Sequence, residues 1–284
     1  MNNEISIDAL PPAQIAEKAV QAGLKKAQVD LLSLFLLSIL GGAFIAIGAI
    51  FATSVTAGTK DAIPVGITKL LSGLAFTPGL ILVVVGGAEL FTGNALMLMA
   101  FVNGKISLFQ LLRNWLVVYA GNFVGALATA IIVFIAKHYT QGAGAVGLNA
   151  LMLGEAKSSL DFGQAVALGM MCNALVCMAV WMCFGARSTT DKILSIIPPI
   201  AAFVAAGFEH SVANMYYIPE AILINTYGDP AFFTAIKHSP ADFAHLTWAN
   251  LFLVNLLPVT IGNIIGGAVM VGLIYWSIYL RKVG

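Results

Sequence analysis

Charged side chains are scarce in this chain. Fourteen Lys and Arg and thirteen Asp and Glu stand among 284 residues, 10% in all. A soluble domain carries about 25% charged and about 45–50% apolar residues. Here 60% of the chain is hydrophobic and the mean hydropathy is +0.93. No soluble core buries that much apolar surface, so most of the chain has a bilayer as its solvent. The net charge of +1 leaves no footprint for nucleic acid. Cysteine is rare too: Cys172, Cys177 and Cys183 all fall in one apolar stretch. That excludes a disulfide framework, and no His or carboxylate pattern beside them makes a metal site. They read as small packing residues. The chain also lacks a phosphate loop, a nucleophile beside a base and a metal-ligand cluster, which argues against a membrane enzyme and against any cofactor. Residues 1–30 have neither the basic nor the apolar region of a signal peptide. They read instead as an amphipathic helix opened by Pro11 and Pro12, with Ile15, Ala19 and Leu24 on one face, lying at the membrane surface.

What is present is six apolar segments. A spanning helix needs about 20 apolar residues at about 1.5 Å each. Leu31–Ala57, residues 66–102, Leu108–Ala136, Gly163–Gly185, residues 193–227 and Trp248–Leu280 qualify. The 28 glycines suit close helix contacts in lipid. The second and fifth segments are too long for one crossing. Each contains glycine or proline interruptions: Pro78-Gly79 and Gly86-Gly87 in one, Pro198-Pro199 and Gly207 in the other. Both are expected to be broken helices. Irregular backbone at membrane depth survives only where it lines a cavity or is buried in protein, so the breaks are where function is sought. Lys and Arg counts orient the chain. With the N-terminus inside, Lys18, Lys25, Lys26, Lys105, Arg113, Arg187, Lys192, Arg281 and Lys282 are inside. Lys60, Lys69, Lys137, Lys157 and Lys237 are outside. Both termini are expected in the cytoplasm.

One pattern occurs twice. Gly87-Ala88-Glu89-Leu90-Phe91-Thr92-Gly93-Asn94 matches Gly207-Phe208-Glu209-His210-Ser211-Val212-Ala213-Asn214, each at the break of an overlong segment. Gly121-Asn122-Phe123-Val124-Gly125 matches Gly262-Asn263-Ile264-Ile265-Gly266 in the next segment of each half. The chain therefore reads as a single channel domain, residues 31–284, after the segment 1–30. It divides into three-helix repeats at about 31–140 and 160–284. An odd number of spans per repeat inverts the second one. Half-helices starting at Glu89 and Glu209 then aim their N-termini at the membrane centre, which attracts anions and repels cations. The two glutamates can cap those ends. His210 is the one histidine inside an expected span, and an ionisable residue within a membrane is a functional candidate. Thr92 can bond a carbonyl one turn back or face a pore. Asn94, Asn214 and Asn122 are expected to bind loop backbone.

At these residues the chain resembles the formate/nitrite transporter family, and within it the formate channels. The resemblance rests on the two eight-residue strings, the second extended to Met215, and on Cys172-Asn173-Ala174-Leu175-Val176-Cys177-Met178-Ala179-Val180-Trp181. It implies an all-α, aquaporin-like fold of six transmembrane helices and a homopentamer in the bacterial inner membrane, with one pore per protomer. It implies formate as substrate, with nitrite or hydrosulphide as alternatives within the family. At the pore centre it implies His210 facing Thr92, with Asn173 and Asn263 lining the path. It implies apolar constrictions at Phe76, Leu80 and Phe203 toward the outside and at Leu90 and Phe91 toward the cytoplasm. Lys26 and Lys157 would draw anions into the two vestibules, paired with Glu89 and Glu209; Lys25 competes with Lys26 for the first position. A water or glycerol channel is disfavoured, because both motifs lack the Asn-Pro-Ala string. A membrane scaffold has no reason to carry buried polar residues at two breaks. The physical problem at the centre is desolvation: an anion crosses an apolar constriction at large cost, and a neutral acid at much less. His210 is expected to lower that cost by sharing or donating a proton, which makes transport pH-dependent. The amphipathic N-terminal helix is expected to close the cytoplasmic mouth at low pH.

Overall fold

A backbone entering hydrocarbon must satisfy its own N–H and C=O groups, and a helix does so within one segment. The computed structural model describes residues 8–59 and 62–281 and contains no strand among them. Lys60, Lys282 and the first seven residues, used in the topology reading above, lie outside the described residues. The helices are α1 (Pro12–Gln28), α2 (Leu31–Thr56), α3 (Val65–Gly86), α4 (Phe91–Val102), α5 (Leu108–Ile135), α6 (Ala145–Ser158), α7 (Phe162–Gly185), α8 (Thr189–Ala206), α9 (Ser211–Tyr227), α10 (Pro230–Ile236) and α11 (residues 248–279). Six of the apolar stretches are long enough to cross a membrane. They carry broad apolar faces outward, as Phe109, Leu116 and Ile135 of α5 do at 71–75% exposure.

Local chemistry sets where these helices begin. The Asp30 side chain caps α2 by accepting from Ser33 N, and Ser107 with Gln110 and Ser188 with Asp191 form reciprocal caps on α5 and α8. Pro78-Gly79 and Pro198-Pro199 do not interrupt their helices: both pairs lie inside continuous helix. At Pro78 the reason is visible. Proline removes the N–H that Leu74 O would accept, and Thr77 Oγ1 donates to that oxygen instead, at 2.8 Å. The chain leaves the helix only at residues 87–90 and 207–210. Gly87 and Gly207 take left-handed φ of +84° and +75°, where a Cβ is unfavourable. Helix resumes at Phe91 and Ser211, two residues later than Glu89 and Glu209. Segment five begins earlier than expected, at Thr189, because the Ser188–Asp191 cap starts it.

α2 packs between α3 and α5, α3 on α8, α7 on α11, and α9 on α5 and α6. Gly42 lets α2 meet α5 backbone to backbone, since a Cβ there would overlap the Asn122 peptide. α11 widens into π-helix over Leu251–Leu256 and Ile265–Leu273, a distortion found often at functional sites. α1 is docked on the protein and not simply laid on a membrane. Its buried stripe is Ile15, Ala19 and Gly23 with Ala16, Val20 and Ala27, whereas Leu24 is half-exposed. Gly23 sits against Met97 and Ala100 of α4, and Ile15 against Gly185 of α7.

Candidate functional site

Each interruption exposes peptide groups that the helices no longer satisfy, and an equivalent asparagine serves each. At the first, Glu89 N donates to Leu37 O at 3.1 Å. Asn122 of α5 accepts from Phe91 N at 2.9 Å and donates to Glu89 O and Ser38 O at 2.9 and 2.7 Å. At the second, Glu209 N donates to Leu168 O at 3.3 Å. Asn263 of α11 accepts from Ser211 N at 2.9 Å and donates to Glu209 O and Gly169 O at 2.9 and 2.8 Å. Asn263 therefore spends its amide on backbone. So does Asn173, which is fully buried and donates to Thr92 O and Asn263 O at 3.1 and 2.7 Å.

The carboxylates do not cap the half-helices. Glu89 Oε1 lies 2.6 Å from Lys26 Nζ, and Glu209 Oε1 lies 2.7 Å from Lys157 Nζ. The other oxygen of each accepts from Asn94 or Asn214, at 2.7 and 2.6 Å. Asn94 and Asn214 thus hold carboxylates, where loop backbone was expected. Each also donates to a further asparagine, Asn114 or Asn255. These two were not singled out by sequence reasoning. They bind the Lys26 and Lys157 carbonyls, closing each cluster. A signal for them exists: Asn114 precedes Asn122 by the same interval as Asn255 precedes Asn263. Lys25 is exposed and outside the cluster.

The centre is where the two interruptions differ. His210 is 3% exposed and Thr92 fully buried, and His210 Nε2 stands 2.9 Å from Thr92 Oγ1. His210 is the N-cap of α9: its Nδ1 accepts from Ala213 N at 3.0 Å. A neutral ring therefore carries its proton on Nε2, aimed at Thr92, and a second proton on Nδ1 would confront the Ala213 N–H. The Thr92 hydroxyl, receiving from Nε2, keeps its own proton free of any protein acceptor among the described residues. Phe203 stacks on the His210 ring at 5.9 Å and meets Phe76 edge-on at 5.7 Å.

Two cavities approach this centre. One of about 230 Å³, on the α1 side, is lined by Lys26, Leu80, Glu89, Leu90, Asn94 and Phe184 among others. Leu80 belongs to this side, not to the opposite side with Phe76 and Phe203. Phe91 does not line it; its ring packs on Trp115 and Tyr119 of α5 at 6.2 and 4.9 Å. The other cavity, about 920 Å³ on the α6 side, is lined by Thr68, Lys69, Ser72, Asn149, Val204 and Gly207 among others. His210, Thr92, Phe76 and Phe203 line neither. No group of three or more His, Cys, Asp or Glu is arranged to hold a metal ion among the described residues.

The family model for the formate/nitrite transporters matches residues 13–277. The chain is 45% identical over 282 residues to the formate channel FocA of Escherichia coli strain K12, covering 99% of each. It is 37% identical to a probable formate transporter of Methanothermobacter thermautotrophicus, covering 95% of this chain and 97% of that one. A solved pentameric formate channel with formate bound superposes with a TM-score of 0.84 at 48% identity, covering 88% of this chain and 98% of that one.

Proposed function

The chain belongs to the formate/nitrite transporter family, and from that premise we propose that it is a formate channel of the bacterial inner membrane, a homopentamer with a pore in each protomer. The names of its relatives support the substrate, and the pentameric channel holding formate supports the assembly. The matched hydrogen-bond sets support two inverted three-helix repeats, with helices broken near the midplane between α3 and α4 and between α8 and α9. The Lys and Arg bias supports cytoplasmic termini, which makes the α1 cavity cytoplasmic and the α6 cavity external.

One observation carries the reading: the two interruptions deliver a single hydrogen-bond donor pair, His210 and Thr92, to the point where two half-helix N-termini meet. That point favours negative charge. The Thr92 O–H, polarised by the Nε2–H, is the donor a carboxylate would meet. Phe76 and Phe203 on one side and Leu80 and Leu90 on the other are the apolar barriers. A formate anion crossing them is desolvated at large cost, and formic acid at much less. The capped Nδ1 suits His210 to sharing its proton and not to giving it away, so the proton that neutralises formate arrives from the vestibule water. Lys26–Glu89 and Lys157–Glu209 are the vestibule charges, and Asn173 and Asn263 hold the Thr92 and Glu209 peptides around the path. α1 is the element whose movement at low pH would close the cytoplasmic cavity, because it supplies Ala19, Gly23 and Lys26 to that wall.

The test is uptake of formate, nitrite, hydrosulphide, chloride, water and glycerol by proteoliposomes across a pH series, with His210→Asn in parallel. Fast formate uptake with slow water and glycerol, and an altered pH profile in the variant, is the expected result. Fast nitrite or hydrosulphide with slow formate would keep the family and overturn the substrate. A His210→Asn channel indistinguishable from wild type at every pH would remove His210 from the mechanism.

A further inference from the structure

The cavities on the two sides differ in charge, and the difference lies outside the glutamate–lysine clusters. Lys26 faces Glu89 at 2.6 Å and Lys157 faces Glu209 at 2.7 Å. Each pair sums to zero, and the field of an ion pair falls off faster with distance than that of a lone charge. Lys26 and Glu89 are the charged residues lining the α1 cavity. The α6 cavity contains a cation of another kind. Lys69 lines it from α3 and makes no ion pair among the described residues.

Lys69 sits at the head of a path. Thr68 and Ser72 share its cavity, and Phe76 follows Ser72 one helical turn deeper on α3, against Phe203. The cavity floor is Val204 and Gly207, the approach to the second interruption. Hydroxyls and a cation with no ion pair among the described residues thus precede the apolar barrier on this side, whereas the charged residues lining the α1 cavity form a matched pair.

We propose that Lys69 is a capture residue for the permeating anion, drawing it into the α6 cavity. It is a positioning residue at the mouth, since it touches none of the central groups. The proposal rests on the reading of the chain as an anion channel. A lone exposed charge raises the local anion concentration and the capture rate, and salt screens it over about 10 Å at 0.1 M. The contribution of Lys69 to capture from the α6 side is therefore ionic-strength-dependent.

The experiment compares wild type, Lys69→Gln and Lys69→Arg in right-side-out and inside-out membrane vesicles from cells lacking their own formate channels. Radiolabelled formate uptake is measured at low salt with sucrose as osmotic support, and again at about 0.5 M salt, where the Debye length is a few ångströms. Lys69→Gln should raise the half-saturating formate concentration about three- to tenfold at low salt in one vesicle orientation. It should leave the maximal rate and the other orientation unchanged, and the difference should vanish at high salt. Lys69→Arg should behave as wild type. An unchanged half-saturation at low salt, or an equal change in both orientations or at both salt concentrations, would overturn the role. If wild type carries nitrite or chloride but not formate, the substrate reading fails by itself, and the same comparison with the transported anion decides Lys69. A wild type that carries no anion overturns both.

Discussion

At 87–94 the interruption holds Leu90 and Thr92; at 207–214 the same positions hold His210 and Val212. Around them nearly every other feature is duplicated: a left-handed glycine, a carboxylate bound by lysine and asparagine, and an asparagine from a neighbouring helix holding the peptides. The scaffold is symmetric and the chemistry is not. That division has a physical reason. A break needs its peptide groups satisfied wherever it occurs, so both copies need the same clamp. The centre needs one hydrogen bond with a defined direction. One histidine and one threonine, each from a different half, provide it, and the α9 N-cap decides which ring nitrogen faces the threonine. Two histidines would instead compete for a single donor position.

The clamps give the largest test of the symmetric part. Asn122→Ala and Asn263→Ala each leave one buried N–H and two buried carbonyls without this partner. At roughly 1–3 kcal/mol per stranded group, each should lose about 4 kcal/mol. Thermal unfolding in detergent should show nearly equal losses. A large loss in one variant alone would break the comparison. The ion pairs should then separate the two halves. Lys157 and Glu209 have 16% and 6% of their side chains exposed, against 28% and 10% for Lys26 and Glu89. Removing one partner of a buried pair costs about 3–5 kcal/mol, and exposure reduces it. Glu209→Gln should lose about 3 kcal/mol and Glu89→Gln about half of that. The reverse order in unfolding temperatures would mean that side-chain burial does not govern these pairs.

A third difference lines neither of the two cavities. Aligning Gly207 with Gly87 places Glu220 opposite Ala100. Glu220 is 2% exposed, and its Oε2 and the Tyr216 hydroxyl, one turn before it on the same helix face, have no partner among the described residues beyond a loose approach to each other. Replacing an unsatisfied buried polar group with an apolar one of similar volume is neutral or stabilising. Glu220→Met should raise the unfolding temperature, by about 1–2 kcal/mol of stability. A clear loss would show that the carboxyl has a partner that earns its burial.

Much of this was legible in the residues. The number of spans follows from apolar run length, and the doubled Gly-x-Glu motif marks both interruptions, whereas Lys26 and Lys157 are reached only through the family resemblance and their pairing with the glutamates through the symmetry of the two strings. Proline was the misleading signal. Pro78 looked like a break because the sequence shows the missing N–H but not Thr77 supplying another donor to Leu74 O. The side of Leu80 and the packing of Phe91 were illegible for a related reason. A helix places a side chain on a face, but only the partner helices decide what that face meets, and for Phe91 the partner is the Trp115–Tyr119 surface of α5. The glutamates looked like caps because helix N-termini favour anions. Lysines distant in sequence, on α1 and α6, took them instead.

The smallest effect belongs to the connection between α9 and α11, which has no equal between α4 and α5. There Lys137 Nζ lies 2.9 Å from Asp229 Oδ2, and Tyr139 Oη donates to the same oxygen at 3.2 Å. Lys137 holds the Asp229 carboxyl below its ordinary 3.8 by hydrogen bond and charge, and Asp229 in turn raises the Lys137 ammonium above 10.5. The signs fix a window. The lowered carboxyl contributes stability above its unfolded value, and that contribution is lost as pH falls through the folded one. The raised ammonium contributes below its unfolded value, and that is lost as pH rises through the folded one. Both groups are about half exposed or more, so solvent screening keeps the gain small. Asp229→Asn should therefore lower the unfolding temperature slightly at pH 7 and match wild type well below pH 4. If the difference persists undiminished in acid, this connection is held by the Tyr139 contact and its packing on Phe232, 5.0 Å away, and charge contributes nothing to the side that has no counterpart.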